Sequence, residues 1–91
     1  MITSELKAIY TNQNSFYGKA TTTTNKNTII LKSYNTNILE YNTTTKKITF
    51  LTHNKDHFTQ TTNKHINEFL KQYTNETTKT KKELLKMAQA I

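Results

Sequence analysis

The sequence predicts an α+β fold: a small antiparallel β-sheet of three to five strands followed by two C-terminal helices. Three observations carry this. Short groups of β-branched, aromatic and aliphatic residues alternate with polar turn-forming stretches over the first fifty residues. From residue 59 the apolar period lengthens, with Ile66, Phe69, Leu70 and Tyr73 at i, i+3, i+4 and i+7. A second helical pattern then opens on Thr80-Lys81-Lys82-Glu83, which matches a capping box.

Taken in order, residues 2–10 fit both periods. The alternation of Ile2, Leu6, Ala8 and Tyr10 favours a strand from about Lys7 to Tyr10. Thr11–Asn14 is polar and turn-like. Ser15–Ala20 holds the chain's single glycine, Gly18, and reads either as a strand with a bulge or as a simple turn. Thr21–Asn27 is a low-complexity tract and is expected to be an exposed hairpin loop. Thr28–Tyr34 is the strongest strand. Asn35–Asn37 offers turn chemistry. Ile38–Tyr41 follows as a strand whose alternation separates Ile38 and Glu40 from Leu39 and Tyr41. Asn42–Lys46 forms a turn, and Lys47–Thr52 a last strand with Ile48 and Phe50 on one face. Thr61 or Thr62 is the expected N-cap of the first helix. Leu84, Leu85, Ala88 and Ile91 give the second helix its stripe. The domain organisation is a single α+β domain over 1–75 and a more loosely docked Lys-rich helix over 76–91.

Composition narrows the function classes. The chain has 91 residues, one glycine and no cysteine, proline or tryptophan. Thr and Asn supply 31 positions, and mean hydropathy is −0.79. Such polarity raises the question of disorder. Nine aromatic residues in periodic apolar groups argue for a folded core. Without cysteine there are no disulfides, thiolate metal sites or Cys nucleophiles. A reducing cytoplasm is therefore a more expected setting than an extracellular one. No apolar run reaches the length of a signal peptide or a membrane span.

The net charge is +7, and all 13 basic residues are lysine. That balance favours acidic partners. Lysine acts as a point charge where arginine would form a bidentate fork, so nucleic-acid contacts should be to phosphate, salt-sensitive and weakly specific. Two groups stand out. Tyr17, Lys19, Lys32, Tyr34 and Tyr41 interleave aromatic and basic residues on the presumed sheet. Exposed, they could stack on bases; aromatics in such a pattern more often belong to the core. Lys79, Lys81, Lys82 and Lys86 cluster on the last helix, as a phosphate-contacting element or a solvated tail.

Signals for catalysis are weak. The six carboxylates have no spacing that forces a pair together, and no phosphate loop or nucleophile elbow is present. Ser15 and Ser33 are nucleophile candidates only by residue type. His53 and His57 bracket Asp56 in a polar, loop-like segment where Lys55 repels a cation. Solvent-exposed or capping roles are expected of them, with no metal and no cofactor. His65, near the start of the first helix, could orient the preceding turn.

Three ordered segments carry a resemblance: Ser15-Phe16-Tyr17-Gly18-Lys19-Ala20, Leu31-Lys32-Ser33-Tyr34-Asn35-Thr36, and Thr61-Thr62-Asn63-Lys64-His65-Ile66-Asn67-Glu68-Phe69-Leu70. Over roughly residues 7–73 the chain resembles a family of small bacteriophage and mobile-element proteins. That family carries K-S-F-Y-x-K-A, S-Y-x-T and T-T-x-[RK]-H-I-x-E-F-L segments. Asn14 stands where the family pattern has a basic residue, which removes a phosphate contact there. The resemblance implies an accessory protein of a phage or mobile element and names no activity. The expectation is a non-enzymatic binder of nucleic acid, or of a host nucleic-acid-processing complex, through Tyr17, Lys19, Lys32, Tyr34, Lys79, Lys81, Lys82 and Lys86. The alternative is an anti-defence inhibitor, anti-CRISPR-like, that occludes a host effector surface. No membrane partner is expected, and an exposed edge strand offers a route to homo-oligomers.

Overall fold

Short turns join the second to fifth strands into a meander, and the longer segment 6–19 joins the first strand to the second. In the computed structural model, residues 2–11, 15–74 and 79–89 are described. Five antiparallel strands run in sequence order: β1 (Ile2–Glu5), β2 (Ala20–Asn25), β3 (Thr28–Ser33), β4 (Thr36–Asn42) and β5 (Lys47–Phe50). A single 3-10 turn (Lys55–His57) leads into α1 (Gln60–Tyr73), and α2 (Lys81–Gln89) follows. The predicted α+β architecture is the one observed. Residues 12–14 of the expected polar turn, the domain boundary at 75/76 and Ile91 lie outside the described residues.

Both helices lie on one sheet face. Ala20, Ile29, Leu31, Leu39, Tyr41 and Phe50 point into this side and meet Ile66, Phe69 and Leu70 of α1. The other face carries Thr21, Thr23, Ile30, Lys32, Glu40 and Thr49 in cross-strand pairs and is covered by no described helix. Leu84 and Ala88 of α2 join the same core. The approach to α2 is clamped at Lys79, whose N–H donates to Asn67 Oδ1 (2.7 Å) and whose carbonyl accepts from Asn67 Nδ2 (2.9 Å). At the far end, His53 Nδ1 bonds the Ala88 carbonyl. The capping box forms as predicted: the Glu83 N–H donates to Thr80 Oγ1, and Glu83 Oε1 accepts from the Thr80 N–H. That second bond holds the Glu83 carboxyl below its usual range.

Four local expectations are corrected, and one open reading is resolved. Thr21–Asn27 is not a loop: Ala20–Asn25 is β2, and the turn is only Lys26–Asn27. Threonine is β-branched, and its strand preference outweighs the tract's polarity. Lys7–Tyr10 is not a strand; the strand is Ile2–Glu5. Its ladder ends where Leu6 N–H donates to Ala20 O (2.9 Å), after which the chain leaves the sheet. Ser15–Ala20 resolves to a turn over Tyr17–Gly18, closed by Lys19 N–H to Phe16 O (2.9 Å). The alternation of β4 holds over Leu39–Tyr41 and breaks only at Ile38, where the register shifts opposite Leu31/Lys32. A β-bulge there buries both Ile38 and Leu39. The N-cap of α1 is Thr59, whose Oγ1 accepts from Thr62 N–H (3.2 Å). Thr62 is instead turned into the core.

Candidate functional site

The site begins with a shortage of glycine. Three two-residue turns join or flank the strands at Tyr17–Gly18, Lys26–Asn27 and Tyr34–Asn35, and hairpin twist favours positive φ in such turns. One glycine cannot serve all of them. Tyr17 (φ 52°), Lys26 (φ 54°) and Tyr34 (φ 55°) therefore adopt left-handed backbone, a conformation costing an L-residue about 1–2 kcal/mol. Tyr17 and Gly18 (φ 74°) both have positive φ, the signature of a type I′ turn.

These turns bring four of the eight sequence-predicted residues to one end of the sheet. Tyr17 is 75% exposed and Tyr34 is 50% exposed. Lys19 and Lys32 are exposed at the same end, Lys32 on the helix-free face of the sheet. The Lys19 carbonyl accepts from Tyr34 N–H (2.7 Å), and Lys32 pairs with Thr21 one step along the ladder. Lys19 and Lys32 are thus diagonal neighbours, about 7–8 Å apart by sheet geometry. The first turn of α1 abuts this end and contains no acidic residue, so its dipole adds to the positive field. Tyr41 is different: it is 5% exposed and belongs to the core.

A closed polar cluster supports the platform from within. Ser33 Oγ lies 2.7 Å from His65 Nδ1 and 2.9 Å from Thr62 Oγ1. Thr59 O–H donates to Thr62 Oγ1 (3.2 Å). Ser33 Oγ thus bridges Thr62 and His65, and His65 Nε2 is a buried atom with no hydrogen-bond partner. Burial lowers the His65 pKa from 6.5 to about 4, and the ring is neutral at pH 7. Phe16 packs against it as a T-shaped pair with ring centroids 4.6 Å apart, and Tyr34 lies tilted at 5.9 Å. His65 therefore buttresses Tyr34. The Ser33–His65 pair mimics a nucleophile and base, yet Ser33 is 2% exposed and His65 is 0% exposed. As it stands, the pair reaches no solvent-borne substrate.

Sequence reasoning did not find this buttress. The signal was present: His65 lies four residues before Phe69, on the buried stripe itself. Glu68 was missed too. It is buried, and its Oε1 accepts from Tyr10 N–H (2.8 Å) while Oε2 accepts from Gln72 Nε2 (2.6 Å). Gln72 Nε2 also donates to the Lys7 carbonyl (2.6 Å), so α1 tethers the segment after β1.

The other four predicted residues do not join the platform. Lys79, Lys81, Lys82 and Lys86 lie on or beside α2, which packs on α1 and β5. From β2 to β5 is three strand spacings, about 14 Å. His53 bonds the Ala88 carbonyl at the end of α2, and His57 Nδ1 lies 2.6 Å from Thr52 Oγ1. Among the described residues no three His, Asp or Glu side chains group as metal ligands, and no helix is long and apolar enough to cross a membrane.

Fold and site together define a small α+β domain with one helix-covered sheet face and an aromatic, basic rim at one end. The chain belongs to a family of unknown function (DUF8033), whose model matches residues 4–86. No curated protein and no solved structure matches it.

Proposed function

We propose that this chain is a non-enzymatic binding module, an accessory protein of a phage or mobile element acting in a bacterial cytoplasm. It holds single-stranded nucleic acid, free or within a host complex, through Tyr17, Lys19, Lys32 and Tyr34. One observation carries this. The two exposed tyrosines stand in turns at one end of the sheet with two exposed lysines, where their rings are held out to solvent and open to stacking. Stacking on exposed tyrosine rings needs no base identity, and lysine neutralises phosphate without reading sequence. The expected activity is therefore strand binding with little sequence preference. The α2 lysines contribute long-range attraction rather than contact.

The test is fluorescence anisotropy with 12-nucleotide single-stranded DNA and RNA across a salt series. Binding should weaken steeply as salt rises. The Tyr17→Ala/Tyr34→Ala variant should lose at least tenfold in affinity. Binding that is absent, or unchanged in that variant, rejects the proposal. Recovery from lysate of one protein that survives nuclease treatment, with no strand binding, would point instead to an inhibitor occluding a host effector surface.

A further inference from the structure

A second site lies at the opposite end of the sheet. There the last turn of α1, the β4–β5 turn and the segment after β1 enclose a groove of about 360 Å³. That is within the range of small-ligand sites. Tyr10, Tyr41 and Tyr73 line it, with Ile48 at its base and Lys46 and Lys71 at its walls. Among the described residues no carboxylate lines it.

Each wall is held in place. Glu68 pins Tyr10 through its backbone N–H. Tyr73 rests on Phe69, with ring centroids 4.7 Å apart. Lys46 has left-handed backbone (φ 60°), and its N–H donates to Asn42 O (2.7 Å). The C-terminal end of a helix ordinarily repels anions. Here Lys71 lies in that last turn, and the Thr74 N–H and hydroxyl both close on the Leu70 carbonyl (2.8 and 2.6 Å).

Tyr10 and Tyr73 offer exposed aromatic faces and hydroxyls, while Tyr41 between them is almost wholly buried in the core. Two lysines offer point charges suited to phosphate. The lysines disfavour a cationic ligand, and the polar walls disfavour a lipid chain. We infer that this groove binds a nucleotide, with its base against the tyrosines and its phosphate between Lys46 and Lys71. The nucleotide could be free, or one residue of a single strand. The site shares no residue with the Tyr17–Tyr34 rim, so it stands or falls separately from the function proposed above.

The test is a titration of the ¹⁵N-labelled full chain with AMP, inorganic phosphate and a 12-nucleotide oligothymidylate. AMP should shift the amides of Lys46, Lys71 and Tyr73 saturably, and at least tenfold more tightly than phosphate. Lys46→Gln/Lys71→Gln should weaken AMP by tenfold or more, with the rest of the spectrum preserved. Lys55→Gln, exposed in the 3-10 turn and outside both sites, should leave AMP affinity unchanged. If the oligonucleotide binds these residues at least tenfold more tightly than AMP, the source is a strand; if it does not, the source is a free nucleotide. Absence of saturable shifts from both AMP and the oligonucleotide, or equal affinity in the double variant, overturns the inference.

Discussion

Ser33 Oγ and His65 Nδ1 lie 2.7 Å apart, and both side chains are closed to solvent. The bond joins the end of β3 to the second turn of α1, across the layer that forms the core. It also fixes which form of His65 the fold accepts. A second ring proton would make the imidazole a buried charge with no opposite charge paired to it.

The pH dependence of stability follows. Burial lowers the His65 pKa from 6.5 to about 4. Below pH 6.5 the unfolded chain binds a proton that the folded chain refuses. The His65 contribution is therefore complete above pH 6.5 and is lost as pH falls towards 4. The full loss is about 3 kcal/mol. Urea midpoints between pH 7 and pH 4 should fall more for the native chain than for His65→Gln. Parallel curves would show that His65 does not resist protonation.

Tyr17 presents a trade between stability and binding. Its φ of 52° suits glycine, and it is 75% exposed. Tyr17→Gly should raise folding stability by about 1 kcal/mol through relief of that conformation. The same change should weaken single-strand binding about tenfold through lost stacking. Lys26→Gly, at φ 54° in the β2–β3 turn, is the control. It should gain similar stability and leave binding largely unchanged. Native-like binding by Tyr17→Gly would remove the tyrosine from the interface.

The helices were legible because their signals are local. The stripe at Ile66, Phe69, Leu70 and Tyr73 and the Thr80–Glu83 box each need only helical spacing. The tract Thr21–Asn27 was misread because polarity suggested a loop, while β-branching and a partner strand made most of it β2. The interleaving of Tyr17, Lys19, Lys32 and Tyr34 was visible in sequence, and the fold gathers them. Their separation from the α2 lysines was not visible, because it depends on which sheet edge α2 covers. The Tyr10–Tyr73 groove was hidden for the same reason. Its walls come from the segment after β1, the β4–β5 turn and the end of α1, and the first and last of these are joined through Glu68 and Gln72.

Glu68 is therefore a test of how the N-terminal segment is held. Both carboxylate oxygens accept bonds, one from the Tyr10 backbone and one from Gln72. Bonds to a charged acceptor contribute about 1.5–3 kcal/mol. Glu68→Gln removes the charge and directs an NH₂ group towards one of two donors. The expected outcome is a loss of about 2 kcal/mol, with faster hydrogen exchange at the Tyr10 amide. Unchanged exchange at Tyr10 would mean that the segment is held by other contacts, such as burial of Leu6.

The attachment of α2 can be measured in the same terms. Leu84 is fully buried, and Ala88 beside it belongs to the same core. The Asn67 clamp on Lys79 and the bond from His53 to Ala88 fasten the two ends of the helix. Deleting a buried leucine side chain costs about 2–5 kcal/mol where the helix is part of the cooperative core. Leu84→Ala should therefore lower global stability by at least 2 kcal/mol, while Lys82→Ala on the exposed face stays within about 0.5 kcal/mol. A frayed helix would behave differently. Leu84→Ala would then leave the urea midpoint of the sheet unchanged, and α2 amides would exchange independently of the core.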